Sequence, residues 1–172
     1  MARMRELPYM VLLMACLVIQ VAVLNGLGVM GAAPDLLFIV ALYAALFAPR
    51  NHAVLAAAMA GLACDIFASG RFGVHALLFG ALAAVLVHAR EKVFKEHPII
   101  QAVIAFAALG AIEAAGAFAT KLQYPEASLG ALIASGVLGA LWTAALAPFA
   151  LALLVKFNRA MGFIQKRSFA DA

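Results

Sequence analysis

Three carboxylates, Asp35, Asp65 and Glu113, lie in or beside long apolar runs of this chain, and a carboxylate at mid-bilayer costs about 2.5–3.5 kcal/mol. Such groups need partners. Asn25, Arg71, His75 and Lys121 are the polar residues placed to supply them, by hydrogen bonding or by neutralising one or more of the acids. Two chemistries are compatible with this set: a polar cluster that glues helices together, or a site for a solute or proton. Asp35 and Asp65 also suit helix capping or turn chemistry. Glu113 sits in Gly110-Ala111-Ile112-Glu113-Ala114-Ala115-Gly116, where small neighbours let another helix approach closely; a neutral acid bonded across helices fits equally.

Catalytic arrangements find less support. Ser69 and His75 are close in sequence, but no nucleophile-elbow frame surrounds the serine. Glu91 and Glu96 stand among basic residues and make no Mg²⁺ cluster. His52, His75, His88 and His97 lack a second ligand four residues away, and Cys16 and Cys64 lie in apolar runs without zinc or redox spacing. No catalytic residue, metal or cofactor is expected.

The elements that hold these residues follow from composition. Of 172 residues, 67% are apolar and 12% charged, against about 45–50% and about 25% in soluble domains. The mean hydropathy is +1.08. A membrane helix takes about 20 residues, so six use about 120 and leave roughly 50 for loops and tails. That leaves no room for a separate soluble catalytic domain. Alternation of period two is absent and alanine and leucine dominate, which argues against a β-barrel. The expectation is an all-α polytopic integral membrane protein with six transmembrane helices.

Pro, Gly and charge clusters divide the chain into spans at about 7–27, 34–48, 53–67, 74–89, 98–120 and 127–155. The first begins after Met-Ala-Arg-Met-Arg-Glu like a signal peptide, yet it is long enough to remain in the bilayer. Pro148 should kink the sixth. The segment 156–172 reads as a basic amphipathic cytoplasmic tail that lies on anionic lipid, with Phe157, Met161 and Ile164 at helical spacing.

Charge sets the orientation. The net charge is +4, but a nucleic-acid surface needs a face open to water, which these runs do not leave. With the N-terminus inside, ten of the twelve Lys and Arg residues are cytoplasmic, and Arg71 and Lys121 are outside. Both termini are therefore expected in the cytoplasm, with Asp35, Asp65 and Glu113 in the outer half. Tyr9 and Tyr124 would lie at opposite interfaces, and Trp142 would pack within the bundle. Ala57, Gly61, Gly110 and Gly116 are the small residues expected to bring helices together, with Ala56-Ala60 and Ala107-Ala111-Ala115 as further small faces.

Pro34-Asp35-Leu36-Leu37, then Gly61-Leu62-Ala63-Cys64-Asp65-Ile66-Phe67, then Ser69-Gly70-Arg71-Phe72-Gly73-Val74-His75-Ala76 together resemble the rod shape-determining MreD family. The likeness covers length, helix count and charge layout over nearly the whole chain; over 98–172 it rests on hydropathy. It implies a non-catalytic bacterial inner-membrane subunit of the elongation machinery. The implied partners are MreC, the filament MreB and the peptidoglycan glycosyltransferase–transpeptidase pair. The family also resembles in fold the S-components of energy-coupling-factor transporters, which implies an S-component-like bundle. It leaves open a second reading, a substrate-binding subunit of a vitamin transporter.

Overall fold

The computed structural model describes residues 6–24, 33–67, 73–89 and 97–161. Regular structure among them is helical throughout. Helix α1 (Glu6–Ile19) widens into a π-helical segment over Gln20–Leu24. It is followed by α2 (Leu36–Phe47), α3 (Arg50–Phe67), α4 (Val74–Ala89), α5 (Pro98–Gln123) and α6 (Leu129–Met161).

Helix α2 occupies the centre because it is apolar on every side. Every residue from Leu37 to Leu46 is buried, as expected of a helix with no polar face. It touches α1, α3, α4, α5 and α6. Phe38 meets Phe79 of α4 edge to face, with ring centroids 5.6 Å apart.

Small side chains bring α3 and α4 together. Ala53, Ala56, Ala57 and Ala60 are buried on α3. A Cβ at Gly61 would strike the His75 carbonyl and come within 2.6 Å of the Ala76 nitrogen, so only glycine admits this approach. Gly80 answers from α4, where an added Cβ would lie 3.5 Å from that of Ala58. The Tyr9 hydroxyl donates to the Ala56 carbonyl at 2.7 Å and ties α1 to the same face. Tyr9 is thus buried rather than a membrane-interface anchor, because the phenol finds its acceptor inside the bundle. Tyr124, at the end of α5, is 52% exposed.

Helices α5 and α6 pack mainly on each other and meet the rest of the bundle chiefly through α2. Val103, Phe118, Leu122, Leu141, Phe149 and Leu153 point outward. Trp142 does too, contrary to the expectation that it packs internally: the buried face of α6 is built from Ala140, Thr143, Ala144, Ala147 and Leu151. Helix α6 continues through Pro148 to Met161.

The helix ends differ from those expected. Helix α2 has 12 residues, a rise of about 18 Å against a hydrocarbon thickness of about 30 Å. It starts after Asp35 rather than at Pro34, since Asp35 caps it. Helix α3 starts at Arg50, and α5 runs on to Gln123. Helix α6 takes in part of the expected tail; the remainder, from 162, lies outside the described residues. Among the described residues, α5 and α6 are the two helices long and apolar enough to cross a membrane.

Candidate functional site

Asp65 lies in the last turn of α3, and its carboxylate is turned into the start of α4. Oδ2 accepts from the backbone N–H of Gly73 and of Ala76, each at 3.0 Å. Oδ1 accepts from the His75 N–H at 3.0 Å and contacts the His75 ring Nδ1 at 2.8 Å. The side chain is fully buried, whereas that of His75 is 36% exposed. The first amides of a helix have no partners of their own, and a negative charge suits that end of the dipole. One carboxylate here serves three of them. Gly73, at φ +93°, takes the left-handed conformation that lets the chain turn its amides inward, and glycine does so without strain.

Asp35 does similar work on its own helix, its Oδ1 accepting from the Phe38 N–H at 2.9 Å. The backbone before it, Ala33 to Asp35, is not helical. Its polar groups are met by side chains from two other helices. Gln20 Nε2 donates to the Pro34 carbonyl at 3.0 Å, and its Oε1 accepts from the Leu36 N–H at 2.8 Å. The Thr143 hydroxyl accepts from the Asp35 N–H at 3.0 Å and donates to the Gly139 carbonyl at 2.8 Å. Irregular backbone at membrane depth is tolerated where protein satisfies it, and these two residues do so.

Glu113 lies over Gly136 of α6, close enough that a Cβ there would sit 2.8 Å from its own. The glycine opposite, not the small residues beside Glu113, makes the room. Asp35 and His75 lie within electrostatic range of Glu113, and His75 within range of Asp35. Glu113 itself is exposed, and among the described residues no hydrogen bond or ion pair joins it to Asp35 or His75.

Lys121 is engaged in its own turn. Its ammonium donates to the carbonyls of Pro125 and, at 2.9 Å, of Ala127, closing the turn between α5 and α6. The expected neutralisation of an acid by Lys121 is therefore replaced by loop closure. Asn25 and Arg71 lie outside the described residues. Of the expected packing residues, Ala57 is buried and Gly61 is in close contact. Gly110 and Gly116 have no atom within 4 Å of an added Cβ. Their helix turns those positions away from its neighbours, so they bring no helix of this chain closer.

Gln20, Thr143 and Gly136 were not singled out by sequence reasoning. A lone amide and a lone hydroxyl inside apolar runs are the available signal, but their shared target is 108 residues from Thr143. Cys16 and Cys64 are free and half-buried. Among the described residues, no group of three His, Cys, Asp or Glu side chains could hold a metal ion.

A family model described as rod shape-determining protein MreD matches residues 4–157 of the chain. No curated protein and no solved structure matches it.

Proposed function

The chain belongs to the MreD family of rod shape-determining membrane proteins, and from that premise we propose that it is a non-catalytic inner-membrane subunit of the bacterial cell-elongation complex. In this reading it scaffolds or regulates lateral peptidoglycan synthesis together with MreC, and reaches MreB and the glycosyltransferase–transpeptidase pair through that contact. The match over residues 4–157 carries the reading.

The use made of Asp65 supports it. Both carboxylate oxygens are engaged by the chain itself, so Asp65 and the start of α4 act as architecture, and Asp65 has little left to offer a solute. Many outward side chains of α5 and α6 are large and apolar, a surface suited to lipid and to partner helices, and Glu113 is exposed on the same pair.

The topology proposed with it has six crossings and both termini in the cytoplasm, following the Lys and Arg asymmetry. The shortness of α2 is compatible with it: a helix sheathed by the other five meets no lipid and need not match the bilayer. Reporters fused after Gly31 and Tyr124 are expected outside, and one after Lys92 inside.

Depletion of the protein in a rod-shaped cell tests the function. Round cells, restored to rods by a plasmid copy, are expected, with MreC recovered alongside the tagged chain in mild detergent. Normal rods with a vitamin requirement, and recovery of a transporter energising module instead, would overturn the reading in favour of a transport subunit.

A further inference from the structure

The break before α2 is held from two sides. Residues Ala33 to Asp35 are not helical and half-buried, and among the described residues each side-chain bond that this stretch receives from another helix comes from Gln20 or Thr143. Gln20 closes over the break as a second strand would, giving one donor and one acceptor to the Pro34 carbonyl and the Leu36 N–H. Pro34 has no N–H of its own, so the Asp35 N–H that bonds Thr143 is the donor between those two contacts. Gln20 also opens the π-helical segment of α1, a turn wider than its neighbours of the kind found at functional positions in helices. Thr143 in turn stands on the buried face of α6, and the α5–α6 pair meets the remaining helices chiefly at α2.

We infer that the Ala33–Asp35 break is a joint pinned by Gln20 and Thr143, through which the position of α1 governs how the α5–α6 pair seats on α2. Releasing either pin loosens the same stretch, Pro34 to Leu36, since lipid offers no replacement partner for the backbone groups exposed. A helix bound against α1 would in this way reset the far side of the molecule without touching it. Gln20 and Thr143 are positioning residues for this joint.

Disulfide formation between introduced cysteines tests it in the full-length chain, with Cys16 and Cys64 first replaced by alanine. Ala33→Cys with Gly139→Cys reports the seating of α6 on the break, because a Cβ at 139 lies 3.9 Å from the Ala33 carbonyl oxygen. Ala58→Cys with Gly80→Cys reports the α3–α4 contact as a control. Gln20→Leu is expected to slow the first pair about tenfold and leave the second unchanged, the equivalent of two lost hydrogen bonds. Thr143→Val should act likewise, and Thr143→Ser, which keeps the hydroxyl, should not. An unchanged first pair in Gln20→Leu, or equal slowing of both pairs, would overturn the joint. Where Gln20→Leu gives no folded protein, Gln20→Met, unbranched and of similar reach, is read by the same two outcomes.

Discussion

The α3–α4 pair and the α5–α6 pair are both helices packed side by side, yet the small residues expected to join them are placed oppositely in the two. In the first, Ala57 and Gly61 are pressed inward, and a carboxylate from one helix caps the next. In the second, Gly110 and Gly116 face open space and the bulky apolar side chains look outward. Small residues at helical spacing thus permit close approach without dictating it; what decides is whether a neighbouring helix is fastened there. Asp65 fastens α4. The start of α5 has Pro98 in its first turn and no side-chain cap from His97, and α6 is met at its start by the Ser128 hydroxyl, which accepts from the Ala131 N–H at 3.4 Å.

The contrast can be broken most forcefully at Asp65. Asp65→Ala leaves three α4 amides without their acceptor and is expected to cost about 3–5 kcal/mol, read as a fall in the unfolding midpoint of the solubilised protein. Gly61→Ala comes next, because its new methyl group meets backbone that cannot yield. A loss of about 2–3 kcal/mol is expected in the same assay. Gly136→Ala should cost about 1–2 kcal/mol, since its new methyl would sit 2.8 Å from the Glu113 Cβ, which moves only with the α5 backbone.

Gly110→Ala sharpens the comparison by reversing the sign. With open space around it, the substitution should gain about 0.5–1 kcal/mol from helix propensity. The same glycine-to-alanine change would then destabilise where another helix is close, at Gly61 and Gly136, and stabilise where none is, at Gly110. Smallest of all, Trp142→Ala should shift stability by no more than about 0.5 kcal/mol, because the indole looks outward from α6. A large loss there would place Trp142 in an internal contact after all.

What the letters revealed differs between the same two regions. Asp65, Gly73 and His75 are near one another in sequence, so a short-range motif with a turn residue and a capping acid could be read directly. Hydropathy and proline positions also located six helices, most of them to within a few residues. The contacts made across the chain were not legible. Thr143 meets Asp35 across 108 residues and Tyr9 meets Ala56 across 47, and no local pattern encodes such partners. Orientation about the helix axis was equally hidden for Trp142, Gly110 and Gly116, because the few polar residues of α5 and α6 do not line one face and periodicity cannot say which face turns in. Depth in the bilayer offers Lys121, as it offers Arg71, as a counter-charge for the acids, whereas the turn beside Lys121 holds carbonyls that its ammonium meets.

Amide hydrogen exchange of the solubilised full-length chain puts the reading of Asp65 as architecture to its most direct test. Slow exchange is expected at Gly73, His75 and Ala76, lost in Asp65→Asn, while Ile99 and Ile100 at the uncapped start of α5 exchange fast in both proteins. Exchange at Gly73, His75 and Ala76 as fast as at Ile99 and Ile100 in the unaltered protein would contradict it.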